Sequence, residues 1–324
     1  MATTPDNPNS SRNIFANRSG PRLIGGKFLR RGLIALTGLV TLIAAFYTVE
    51  NWRGYRAWES YKRDMAMHNL PTDWTPPKPL NIPDDQNFTQ TPLLKAIGIK
   101  GRVDTNVWRP FDALHLNGLF ANQGEAGKLT DLAADQRELR GLPEVSLPPL
   151  PRDPALDVLD YLRALEPEMN ELRQASFRPK SVFIIQGNDP VALDIPNFVG
   201  ARTLARLFSL QASAELALGK PAAAFRDQFV VHRLAEAMKS SDTLVATMIR
   251  VALLGLNAQT FWEGWAREQW TESQWLELQT QYHEIDLLAD LDRSFRVGEL
   301  GAVNHILNHF SSAQLARVFN STGR

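Results

Sequence analysis

The run Gly32–Val49, GLIALTGLVTLIAAFYTV, holds 18 residues and no charge. Crossing a hydrocarbon layer takes about 17–25 mainly apolar residues of helix, and a helix satisfies its own backbone donors and acceptors there. The run therefore predicts a single transmembrane helix over 32–49. Arg30 and Arg31 abut one end, and Tyr47 and Trp52 mark the other, where amphipathic rings settle at the interface. The basic flank of a span stays in the cytoplasm, so the expectation is an N-terminus inside and a C-terminal domain outside; Arg53 and Arg56 on the far flank pull against it. A cleaved signal sequence, with small Ala44 and Ala45, is the alternative. Its basic region would be long, however, and its apolar run would exceed the usual ~7–15 residues.

Charge is segregated around this run. The chain has 35 basic and 35 acidic residues, but its first 31 residues hold Arg12, Arg18, Arg22, Lys27, Arg30 and Arg31 against one acid, Asp6, which leaves a net −5 on the remainder. Such a remainder argues against nucleic acid as a partner, which calls for a clustered basic face. With no cysteine, disulfides, thiolate metal sites and cysteine nucleophiles are excluded.

The expected order is a disordered basic cytoplasmic tail (1–31), the span (32–49), a juxtamembrane helix (50–70) bearing Trp52, Tyr55, Trp58 and Tyr61, a proline-rich, weakly structured spacer (71–152), and a helical domain (153–324). Prolines at 71, 76, 77, 79 and 83, and again at 143, 148, 149, 151 and 154, favour extended backbone over helix. Asp153-Pro154 opens a helix as N-cap and first residue. SVFIIQG, 181–187, is the one strand candidate, alone or in a hairpin with Val191–Ile195. Four helical patterns follow: about 197–218, closed by Gly219; 221–239, opened by Pro221; 242–267; and one from the capping box Thr271–Gln274 past Asp292, with a break near Gly298 or Gly301. Connections this short make neighbours antiparallel. The fold class is mainly α: stacked antiparallel helical hairpins behind one transmembrane helix and a spacer, with at most a small β-hairpin. Leu244–Leu256 is nearly all apolar but short and contains Arg250, which marks a core helix rather than a second span.

SLQASAELALGKPAAAFRDQFVVHRLA resembles a degenerate tetratricopeptide unit: Ala212, Gly219 and Ala224 stand where that family has small residues, while Gln228 and Val231 do not match its later positions. RAWESYKRDM, PDDQNFTQTPLL, TLVATMIRVALL and QWTESQWLELQ together resemble a group of uncharacterised membrane-anchored bacterial proteins over most of 50–300. The resemblance implies a location in the bacterial inner (plasma) membrane and supplies no chemistry. Proteins of this look often continue beyond the point corresponding to Arg324, so a shortened product is one expectation.

Candidate chemistry is sparse, and no cofactor or metal is expected. His305 and His309 share a helical face, but the nearest acid, Glu299, lies ~240° around the helix, so a third ligand is missing. Glu284, Asp286, Asp290 and Asp292 read as a solvated acidic face, and Asp84-Asp85 as a turn cap. There is no GxSxG and no glycine-rich phosphate loop. Trp262, Trp265, Trp270 and Trp275 either line a partner groove or pack the closed end of a hairpin. Arg250, central in an apolar helix, needs an acid from another helix or a path to water; Glu299 is the expected ion-pair partner, Glu284 the second choice. The expected function is a membrane-tethered scaffold domain that binds a protein or peptide. The alternative is an envelope hydrolase using histidines and carboxylates assembled by the fold.

Overall fold

The computed structural model describes residues 26–78, 80–97, 127–143, 145–187, 189–191 and 193–321. The expected disordered tail thus lies largely outside the described residues, as does much of the weakly patterned stretch before residue 127. The chain divides into two units, Met1–Asp64 and Met65–Arg324.

The first unit is helix α1, Gly26–Met67, whose last residues enter the second unit. It carries the apolar run without a break into the expected juxtamembrane segment. Leu33, Ile34, Leu36, Leu39 and Leu42 are all exposed. Thr37, Thr41 and Thr48 return their hydroxyls to carbonyls four residues back at 2.7–2.9 Å, so the threonines of the run are satisfied within the helix. Helix α1 is long and apolar enough to cross a membrane, and it lies near the N-terminus.

The second unit contains α2 (Pro92–Ile97), α3 (Leu132–Gly141), α4 (Pro154–Leu162), α5 (Glu166–Ala175), α6 (Phe198–Ala217), α7 (Pro221–Ala237), α8 (Leu244–Ala266), α9 (Glu272–His283), α10 (Leu287–Arg293), a π turn (Ser294–Leu300), α11 (Gly301–His309) and α12 (Ser312–Ser321). Helices α6, α7 and α8 pack on one another, α4 covers α6, and α5 covers α7. Phe208, Leu204, Val230, Leu234 and Leu253 fill the centre with no exposure. Asp157 is buried in α4 and gathers Arg140 and Gln136 of α3 at 2.6–2.8 Å, which fixes the outer pair.

The expected boundary at 152/153 does not exist. Phe88, Leu93, Leu94, Leu132 and Leu139 belong to the same core as the helices after Asp153. The prolines interrupt helix without preventing the apolar residues between them from packing. Ser181–Gly187 is extended, but no strand or hairpin forms among the described residues. In place of a partner strand, the Asn87 side chain donates to the Val182 carbonyl at 2.8 Å and accepts from its N–H at 3.0 Å. One side-chain amide thus satisfies what a strand would.

The helix ends explain the compact connections. Asn197, Thr243, Thr271 and Asp286 cap the starts of α6, α8, α9 and α10, and Thr271 with Gln274 completes the expected capping box. Helices α1, α6 and α8 all end in the same motif, with Asn69 (φ 55°), Gly219 (φ 70°) and Glu268 (φ 54°) in the left-handed region. In each, the next residue's N–H reaches back five positions: Leu70 to Met65, Lys220 to Glu215, and Gln269 to Gly264, at 2.9–3.0 Å. The last expected helix is shorter than its pattern suggests. It stops at His283, because Asp286 caps a new helix, and then loosens into the π turn. There a Cβ on Gly298 would lie 2.0 Å from the Asp242 carbonyl oxygen, so only glycine admits the crossing.

Glu268 holds a conformation that costs a side chain about 1–2 kcal/mol and glycine nothing. Glu268→Gly should therefore raise the denaturation free energy by about 1 kcal/mol in urea titration of the full chain in detergent, and the matching change Gly219→Glu should lower it.

Candidate functional site

The four tryptophans do not converge. Trp270 is buried in a small satellite core with Ala212, Leu216 and Ala224, edge-on to Phe225. Its indole N–H donates to the Phe261 carbonyl at 2.8 Å, and its ring lies so close to Gly264 that a Cβ there would be 2.1 Å away. This residue closes the α8–α9 turn. Trp262 is half-buried, and Trp265 is exposed. Trp275 lines a recess: an apolar cleft of about 560 Å³ between α8 and α9, walled by Phe261, Trp275, Leu276, Leu278 and Tyr282. Phe261 meets the Trp275 ring edge-on at 4.8 Å. Helix α9 buries only Leu278 and Gln281, so much of its apolar surface stays available. The cleft is anchored from below, where the Tyr282 hydroxyl donates to Asn257 Oδ1 at 2.6 Å and Gln228 Nε2 donates to the same oxygen at 2.9 Å. Burial pushes the Tyr282 phenol far above its usual range, so it remains a donor at any physiological pH.

Arg250 is buried, as expected, and its acids come from other helices, but Glu299 is not one of them. Arg250 Nη2 donates to Glu236 of α7 at 2.9 Å, and Nη1 pairs with Asp290 of α10. Glu299 instead accepts from the Leu244 N–H at 3.1 Å, adding to the start of α8. The reason is geometric: the π turn carries Glu299 to the first turn of α8, while Arg250 lies further along, opposite α10. Of the other acids on the expected solvated face, Asp286 caps α10 and Asp292 pairs with Arg296, while Glu284 is exposed. Burial raises the Glu236 carboxyl, but the hydrogen bond from Arg250 and the charge of Lys239 outweigh it and hold the group below its usual value.

A second buried polar group lies where α5, α6 and α7 meet. Arg173 clamps Asp227 with both prongs of its guanidinium and reaches Glu166 at 2.9 Å. Glu215 shares this neighbourhood without a direct bond to Arg173. Burial, reinforced by the negative charge of Asp227, pushes the Glu215 carboxyl up to about 8. His232, buried on α7 and stacked on Phe229, is held down to about 4 by burial and so remains neutral.

The histidines expected to lack a third ligand have one. Asp73, in the proline-rich segment after α1, places Oδ1 3.2 Å from His305 Nδ1 and Oδ2 2.9 Å from His309 Nε2. Sequence reasoning searched the helix carrying the histidines, whereas the acid stands 232 residues earlier than His305. Neighbouring charge and the hydrogen bond to His309 overcome burial and lower the Asp73 carboxyl. Compared with protein-family models, with curated proteins and with solved structures, the chain finds no match.

Two outcomes follow from the buried charges. Arg250→Ala leaves the carboxylates of Glu236 and Asp290, 24 % and 26 % exposed, without the buried cation they share, and should cost about 3 kcal/mol. That loss should be strongly non-additive with Asp290→Ala and additive with Glu299→Ala in chemical denaturation. Glu215 binds its proton more tightly folded than unfolded, so stability should fall as pH rises from about 4.5 to about 8, by up to about 1.4 kcal/mol per unit. Between about 4 and 6.5 the raised Asp227 carboxyl and the neutral His232 act in opposite senses, so the fall above pH 6.5 is the part that reports Glu215 by itself. Glu215→Gln should abolish it, and denaturation at pH 6.5 and 8 reads the difference.

Proposed function

We propose that this chain is a membrane-tethered helical interaction domain, anchored by Gly32–Val49 with its N-terminus in the cytoplasm and its helical domain in the bacterial cell envelope, and that it binds a protein or peptide partner. The observation that carries the reading is the apolar cleft between α8 and α9. It is open, walled by three rings, and framed by a helix that leaves Trp275 and Leu276 exposed. Exposed aromatic and aliphatic anchors around a preformed recess suit an amphipathic segment, whose apolar residues enter while its polar face stays wet. A hydrolase is favoured less: the histidine–carboxylate group at Asp73 is surface-lying, with the His309 side chain 54 % exposed, and lines none of the larger recesses among the described residues.

A photoreactive side chain placed at position 276 of the full chain, in its own membranes, should yield a discrete adduct with a second polypeptide. Trp275→Asp should remove that adduct while leaving the chain in the membrane fraction. Adducts to lipid alone, or none, would end the binding reading.

A further inference from the structure

The segment after α1 is bound to α11 from several directions. The Trp74 N–H lies 3.2 Å from the Gly301 carbonyl, and Asn304 donates to the Thr72 carbonyl at 3.0 Å. The Trp74 ring packs edge-on against the His305 imidazole at 5.4 Å, and Phe310 approaches the same ring at 6.4 Å. The Trp74 N–H also donates to Asp73 Oδ1 at 3.0 Å, which fixes the carboxylate. Within this frame one His305 nitrogen, one His309 nitrogen and one Asp73 oxygen come within 4.8 Å of one another.

We propose that Asp73, His305 and His309 form a binding site for a divalent transition metal ion, with Zn²⁺ the best fit, and that the ion clasps the proline-rich segment to α11. Three considerations select this class. Two imidazoles and one carboxylate suit a borderline ion and not Mg²⁺ or Ca²⁺, which take oxygen ligands. With one carboxylate oxygen, the three donor atoms lie within 4.8 Å of one another, against the ~3.3 Å edge of a tetrahedron with metal–ligand bonds near 2.0–2.1 Å, so the ion draws the three side chains inward by rotamer adjustment alone. The rings of His305 and His309 lie 4.5 Å apart, one helical turn from each other, close enough for a nitrogen of each to reach one cation. Three protein ligands leave a fourth position on the solvent side of His309 for water. The Trp74 N–H, donating to the Asp73 carboxylate, holds that ligand in orientation. The ion's effect is a clasp on the fold: it ties residues 232 and 236 positions apart in sequence and closes the largest loop in the domain. The site stands independently of the binding cleft.

The test uses the full chain in detergent, without a polyhistidine tag and stripped with chelator. Titration with Co²⁺ should saturate at one equivalent with the intense visible absorption of a tetrahedral ion, and Zn²⁺ should displace it. Asp73→Asn and His309→Ala should each weaken the affinity by at least ~10-fold, the loss that follows when even a ligand's supporting partner is removed. Both side chains are partly exposed, so both variants should keep their helical circular dichroism. Zn²⁺ should raise the melting temperature of the parent chain and leave that of His309→Ala unchanged. No binding by the folded parent, the pale spectrum of a six-coordinate ion, or equal affinity in both variants would overturn the assignment.

Discussion

Helix α8 is the most apolar of the three long helices at the centre of the domain, yet it points its charged and amide groups inward. Arg250 and Asn257 are seven residues apart and so lie on nearly the same face, while Val245, Met248 and Val251 stand exposed on the other. A buried guanidinium and a buried amide cannot be left unsatisfied at a cost of several kcal/mol, so neighbouring helices must arrive where those groups need them. Helix α7 supplies Glu236 to Arg250 and Gln228 to Asn257; α10 supplies Asp290; α9 supplies the Tyr282 hydroxyl. At the far end of α8, Glu263 accepts from Thr130 at 2.6 Å and draws in the segment before α3. The register of at least four elements follows from polar groups on one helix. A purely apolar α8 would pack with less angular preference.

Local signals in the chain are legible because their physics is local. The uncharged run, the prolines at helix starts, Thr271–Gln274 and Gly219 each act within a turn of themselves, and the structure places helix boundaries within a few residues of where they indicate. Pairings are another matter. Arg250 announces that it needs an acid, but nothing near it says that α7 and α10 bring Glu236 and Asp290, because that choice depends on how three helices cross. Glu299, the expected partner, serves instead at the start of α8. Trp270 and Trp275 are five residues apart and equally aromatic. One is enclosed because Gly264 lets the chain close over it, and the other stays outside; that difference exists only once α8 and α9 have met. Glu268 shows the same limit in reverse, since a left-handed helix terminus is readable at Gly219 and invisible beneath a glutamate.

The proline-rich stretch shows how composition can mislead about packing. Proline removes a donor and blocks helix, and both effects are real between Pro71 and Pro83. Neither prevents a chain from lying extended on a surface that offers it partners. Here the partners are unusually specific: Gly301 and Asn304 take the backbone, and Trp74 lies on His305. Asn87 and Val182 repeat the principle further along, with a side-chain amide in place of a strand. There the backbone itself contributes one parallel bridge, Phe88 N–H to the Lys180 carbonyl and Lys180 N–H to the Gln86 carbonyl, and among the described residues the pairing goes no further.

The proposed anchor and the proposed cleft explain each other in energetic terms. A recess of about 560 Å³ admits a few side chains, far less than the interface of a stable complex between free partners. Such a site binds weakly when both partners diffuse in three dimensions, because association costs translational and rotational freedom that small contacts do not repay. Confinement of one partner to a membrane, with the other held to the same surface, raises the effective concentration without adding a contact. A shallow cleft with exposed anchors then becomes sufficient.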